Sequence, residues 1–196
     1  MKKITILFTL LTVLTISRLG AQNLVQVNFG ISVPKGVQLR SAFGSAETIG
    51  GNFLHRSSNP RWLYGAGINH QRFFSKDSAF GAGNSNRITI NNLLFSLRKE
   101  FHLRDDHNWY LGFDAGLNQY AQRTIKAGTG QRTSGTGYTT ALALGTTWKL
   151  SKCLSFNFEG NVTYSHTDDL NYNDRFTTSL FKFYGLRFGL QYGLSK

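Results

Sequence analysis

The chain has 196 residues, with 22 Lys+Arg against 10 Asp+Glu and a formal net charge of +12, which fits a single domain that keeps anionic company. Its one cysteine, Cys153, rules out a disulfide framework. Twenty-one glycines, two prolines and 14% aromatic residues point to β-structure and away from helix or disorder.

The first element is a leader. Lys2 and Lys3 supply a positive start, "ITILFTLLTVLTI" is an apolar run too short to span a bilayer comfortably, and Gly20-Ala21 offers a small-residue cleavage site. Residues 1–21 are therefore predicted to be an export signal and 22–196 the mature domain. Without Lys2, Lys3 and Arg18 the mature chain keeps 19 basic against 10 acidic residues, a net +9.

From there, stretches of period two recur between turn-rich segments. The first, 24–33, sets Val25, Val27, Phe29, Ile31 and Val33 against Gln26, Asn28, Gly30 and Ser32. The second, 46–56, is the weakest, with Ile49 and Phe53 on its apolar face. The third, 61–72, alternates Trp62, Tyr64, Ala66 and Ile68 with Leu63, Gly65, Gly67 and Asn69. In the fourth, 87–101, Leu93, Phe95 and Leu97 share a face, although Leu94 blurs it.

The fifth stretch, "NWYLGFDAGLNQY" (108–120), puts Trp109, Leu111, Phe113 and Leu117 on one side and Asp114 between Gly112 and Gly116 on the other. The sixth, 137–150, carries Leu142, Leu144, Trp148 and Leu150 opposite Ala143, Gly145 and Lys149. The seventh, 154–166, opposes Phe156, Phe158, Val162 and Tyr164 to Ser155, Asn157, Glu159 and Asn161. The eighth, 184–194, is the clearest: Tyr184, Leu186, Phe188, Leu190 and Tyr192 against Gly185, Arg187, Gly189 and Gln191.

Connections after the even strands are short (57–60, 102–107, 151–153). Those after the odd strands are predicted to be longer loops, at about 34–45, 73–86, 121–136 and 167–176. Short turns at one end and long loops at the other describe an all-β, eight-stranded antiparallel up-and-down transmembrane barrel. Its bulky face must point to lipid, because an eight-stranded interior is only just wide enough to be filled by side chains. Trp62, Trp109, Trp148 and Tyr192 all fall near the short-turn end, as membrane-interface aromatics do. Turned inward, Asp114, Lys149, Glu159 and Arg187 form a predicted interior ion network, since a lone ion in low dielectric is costly.

On this alternation, loop pattern and glycine-aromatic last strand "FYGLRFGLQYGL", the whole mature chain resembles the small eight-stranded outer-membrane barrels of the OmpA/OmpX type. The resemblance implies a Gram-negative-type outer membrane, insertion by the barrel-assembly machinery, and roles in envelope integrity, adhesion, host interaction or secretion-apparatus assembly. Relatives of this kind end on an aromatic residue. This chain ends "GLSK", so either Tyr192 and Leu194 substitute for that signal or the recognition differs in this lineage.

Chemistry-bearing motifs are sparse. A deacylase-like site needs a serine, a histidine base and an orienting acid. His55-Arg56-Ser57 falls at the short-turn end, away from outer-leaflet lipid, and Ser165 and His166 are neighbours on a strand and so point to opposite faces. The loop at 121–137 lacks the ending of a phosphate-binding loop. The five histidines show no metal-ligand spacing, so no catalytic residue, cofactor or metal is predicted. The first three long loops are basic, with Lys35 and Arg40, then Arg72, Lys76 and Arg87 against Asp77, then Arg123, Lys126 and Arg132, a set fit to grip lipopolysaccharide phosphates; the fourth is acidic, with Asp168, Asp169 and Asp174 against Arg175.

The expected partners are outer-membrane lipids and no nucleic acid, and the expected state is a monomer with a structural or surface-binding role. A lipid A-modifying enzyme, a small channel or secretion component, and a soluble exported barrel are the rival readings.

Overall fold

The computed structural model describes residues 23–76, 85–104, 106–126, 128–173 and 176–194; the predicted leader lies outside them. Eight strands run in order: β1 (Asn23–Pro34), β2 (Ala46–Arg56), β3 (Trp62–Phe74), β4 (Ser85–Arg104), β5 (His107–Lys126), β6 (Thr129–Lys149), β7 (Leu154–Asn173) and β8 (Phe176–Leu194). Each pairs antiparallel with the next, and β1 pairs with β8 to close the barrel. A six-residue helix, α1 (Val37–Ala42), follows β1.

The alternation read from the sequence sets the two faces. Val27, Phe29 and Ile31 of β1 are exposed, while Gln26, Asn28 and Ser32 between them are buried. The same division holds in β8, where Leu186, Phe188 and Leu190 are exposed and Arg187 and Gln191 buried. Apolar side chains therefore face outward and polar ones line the lumen, as a bilayer-spanning barrel requires. Closure gives every strand in that layer backbone partners on both sides.

Two of the four predicted long loops are not loops. The segment at 121–136 continues β5 and β6 upward in register to Lys126↔Thr129, with Gly128 at φ 82° in the turn. Residues 167–173 belong to β7 and Phe176 to β8, paired as far as Asn173↔Phe176 with register shifts between His166 and Leu170 and between Asn171 and Asn173. Gly, Ser and Thr read as turn-formers in isolation. A neighbouring strand that satisfies each N–H and C=O overrides that weak preference. A membrane strand needs about 9–11 residues, so β4 to β8, at 19–21 residues, rise well beyond the bilayer.

Along these tall strands the polarity of the two faces exchanges. In β4 the outward side chains run Arg87, Thr89, Asn91 and then Leu93, Phe95, Leu97; the inward ones run Ile88, Ile90 and then, with Leu94 as the one apolar exception, Asn92, Ser96, Arg98. In β8 the inward Phe181 and Phe183 give way to Gly185 and Arg187. The interior is thus not polar throughout, as the sequence alone suggested. Phe43, Phe73, Ile88, Ile90, Phe181 and Phe183, with Leu39 of α1, build an apolar core under the tall end. Phe73 and Phe181 meet edge to face at 5.0 Å. Where lipid bathes the outside, the outer face is apolar and the lumen polar; where water bathes it, the barrel must supply its own apolar core.

Candidate functional site

At mid-height the lumen is filled by one polar cluster. Tyr110, Gly145, Glu159 and Arg187 occupy a single row across β5 to β8. Gly145 is the vacancy that makes the row work: a Cβ there would sit 2.2 Å from the Tyr110 ring, so only glycine lets the ring pass over. The Tyr110 hydroxyl then donates to Glu159 Oε2 at 2.9 Å. Arg187 Nη1 approaches Glu159 Oε1 at 3.4 Å, and Arg98 Nη2 approaches Oε2 at 3.6 Å. Arg98 also donates to Gln26 Oε1 at 2.6 Å and lies 4.9 Å from the centroid of the Tyr110 ring.

This cluster differs from the predicted one in membership. Glu159 and Arg187 meet. Asp114 is buried in the same compartment, opposite Ser96 in the β4–β5 ladder, with no ion pair closed on it among the described residues. Lys149 is exposed at the short-turn mouth, in a vestibule of about 280 Å³ that Arg56 and Glu100 also line. It falls at the last position of β6, where the lumen already meets water. Its place beside Glu159 is taken by Arg98, which sequence reasoning did not name. The signal was present: outward Leu93, Phe95 and Leu97 set Arg98 inward, but Leu94 and Lys99 on either side obscured it. A second pair, Arg56 Nη1 to Glu100 Oε2 at 2.5 Å, spans the mouth.

The four predicted interface aromatics lie outward near the short turns. Trp109, Trp148 and Tyr192 are exposed, Trp148 stacks on His107 at 5.0 Å, and Lys99 Nζ stands 5.5 Å from the half-buried Trp62 ring. A second set, unnamed from sequence, is exposed nearer the tall end: Tyr138, Tyr164 and Tyr184. Two aromatic sets flanking an apolar band match the girdles of a membrane barrel.

The basic rim residues do not form one set. Lys35 leaves β1 beside Tyr184, whose proximity holds the ammonium above its ordinary pKa. Arg40 is exposed on α1, and Lys76 donates to its carbonyl oxygen at 2.8 Å, so Lys76 ties the second connection to the helix. Arg87, Arg123 and Arg132 are direct neighbours on one row, Arg87↔Arg123 across β4–β5 and Arg123↔Arg132 across β5–β6, all on the outward face. Among the described residues no carboxylate pairs with any of the three. Arg72 has Glu47 opposite it on β2. The Lys126 side chain lies outside the described residues.

Neither serine–histidine candidate assembles. Ser165 is buried and bonded to Thr139 Oγ1 at 2.7 Å, while His166 stacks outward on Tyr138 at 4.8 Å. His55 Nδ1 is engaged by Asn23 Oδ1 at 2.8 Å, at the short-turn end. Among the described residues no group of His, Cys, Asp and Glu forms a metal site.

No family model and no curated protein sequence matches the chain. Solved structures do. Neisserial surface protein A superposes with a TM-score of 0.59 at 10% identity, over 88% of this chain and 97% of its own. Ail, the attachment invasion locus protein of Yersinia pestis, gives 0.57 at 12%, over 90% and 100%. OprG, an outer-membrane protein of Pseudomonas aeruginosa, gives 0.53 at 14%, over 92% and 99%. At such identities the likeness is one of fold: this chain has the closed eight-stranded antiparallel barrel that these small outer-membrane proteins share.

Proposed function

We propose that this protein is a surface-binding barrel of a Gram-negative-type outer membrane, and that its raised β4–β6 face captures polyanions. The observation that carries the reading is the row Arg87–Arg123–Arg132. Like charges directly opposite in a sheet destabilise it, so the row is held against its own repulsion. It stands above the level where β4 exchanges polarity, clear of the apolar band. A cleft of about 320 Å³ lined by Phe74, Arg87, Arg123 and Ile125 adjoins it. Planar guanidinium groups on a flat sheet match the sulfates or phosphates of an extended anionic glycan, each able to take a bidentate contact.

Dextran sulfate against neutral dextran tests the idea, using the full mature barrel in detergent. The wild type should bind only the sulfated polymer, and more weakly as salt rises. Arg87→Gln/Arg123→Gln/Arg132→Gln should weaken binding at least about tenfold, given hydrogen bonds to charged groups of about 1.5–3 kcal/mol each. Equal binding by the triple variant, or equal binding of neutral dextran, overturns the proposal.

A further inference from the structure

The lipid-facing surface carries a second feature, lower on the barrel than the arginine row and centred on β6 to β8 and β1. One row of the outer face reads Ile31, Leu186, Gly160, Leu144 across β1, β8, β7 and β6. Gly160 alone in that row has no side chain. A Cβ built on it would meet nothing nearer than Leu186 Cδ2 at 3.8 Å, so the sheet does not need glycine there for close packing. The result is an outward apolar groove of about 510 Å³, floored at Gly160 and walled by Leu144, Val162, Leu186 and Ile31.

Above the groove the walls turn cationic. Tyr184 lines its upper end. Two residues further up lie Lys182 and, across the β1–β8 seam, Lys35, whose backbone N–H donates to the Lys182 carbonyl at 2.8 Å. Lys35 Nζ stands 4.9 Å from the Tyr184 ring centroid and Lys182 Nζ 4.9 Å from that of Tyr164. Ring faces hold ammonium groups in place while leaving N–H bonds free for an anion. Neither lysine is paired with a carboxylate among the described residues. Along β7, the four steps from Gly160 to Tyr164 span about 13 Å at the usual strand rise, close to the half-thickness of a bilayer's hydrocarbon core.

We infer that this groove and the lysine pair above it form one binding site for a phosphate-bearing lipid of the surrounding leaflet, an acyl chain lying over Gly160 and the phosphate held between Lys35 and Lys182. The complementarity is twofold: apolar floor to hydrocarbon, and two adjacent cations at the tyrosine girdle, where lipid phosphates lie. A merely annular lipid would need neither the missing side chain nor the paired charges. The inference is independent of polyanion capture, because it shares no residue with the arginine row.

Native mass spectrometry of the mature barrel, released from detergent micelles after titration with diphosphoryl lipid A, reads the site directly. The wild type should retain one lipid at concentrations where the dephosphorylated form is lost. Lys35→Ala/Lys182→Ala should lower retention at least tenfold, and Lys35→Arg/Lys182→Arg should restore it. Gly160→Leu, which fills the groove and leaves both lysines, should abolish the preference. Folding of each variant is checked by its gel mobility before and after boiling. Wild-type retention by the alanine pair or by folded Gly160→Leu overturns the inference. So does competition by inorganic phosphate as effective as by the lipid, which would mark a free-anion site.

Discussion

The hydroxyl of Tyr110 reaches Glu159 at 2.9 Å across 49 positions of sequence and two steps of the sheet, by passing over Gly145. The contact binds β5 to β7 through the lumen, and it places on the same carboxylate the two guanidinium groups of Arg98 and Arg187. Glu159 is the common partner of all three, as hydrogen-bond acceptor for Tyr110 and Arg187 and as counter-ion for Arg98.

Removing that acceptor should therefore cost more than any single pair suggests. Glu159→Ala leaves two buried arginines facing each other, a loss of about 3–5 kcal/mol. The folded band on a gel should convert at markedly lower temperature and lower urea. Adding Arg98→Met and Arg187→Met should recover much of it, since apolar residues of similar volume replace buried ion groups with little penalty. Unaltered urea midpoints for Glu159→Ala would show that the cluster contributes little.

Gly145→Val tests the row from its centre. The new side chain enters space held by the Tyr110 ring, and overpacking of this kind costs about 1–3 kcal/mol. Tyr110→Ala in the same chain should relieve part of the loss, because it vacates that space. A variant as stable as wild type would mean that the ring leaves Gly145 without cost.

The exchange of polarity along β4 and β8 sets the level of the bilayer surface on the barrel. In a Cys153→Ser background, spin labels at Phe113 and Phe188 should respond to lipid-soluble quenchers. Labels at Thr89 and Ala121 should respond to aqueous ones. Phe188→Arg should destabilise by about 2–4 kcal/mol. Thr89→Arg, out in water, should stay within about 0.5 kcal/mol. Aqueous quenching at Phe188 would overturn the outward orientation of the apolar face.

The apolar core under the tall end should behave as a soluble core does. Phe181→Ala, in contact with Phe43, Phe73 and Phe183, should cost about 3–5 kcal/mol. Hydrogen exchange should place that loss in the upper hairpins and spare the membrane layer. Protection lost uniformly would mean that the two layers unfold as one unit.

Why some of this was legible and some not follows from the range of each interaction. The outward run Tyr184, Leu186, Phe188, Leu190 and the inward Arg187 could be read directly, because a strand turns alternate residues to opposite faces whatever it pairs with. Eight such stretches in a closed even number left a barrel, and the bulk of the outward side chains left lipid as its solvent. The heights of the last two hairpins could not be read so. Thr129 to Thr136 form strand only because β5 stands beside them, and a lone Gly-Ser-Thr segment carries no sign of that neighbour.

Register decided the rest. Which inward residue meets which depends on strand offsets that no local pattern encodes, so Arg98 stands beside Glu159 while Lys149, of the same inward parity, stops at the mouth. The alignment of Arg87, Arg123 and Arg132, and the seat of Lys35 and Lys182 above Gly160, arise in the same way. By itself the chain determined the faces, since alternation is a property of one strand. Only tertiary pairing decided the sites, since a site here is a row of residues that separate strands bring to one level.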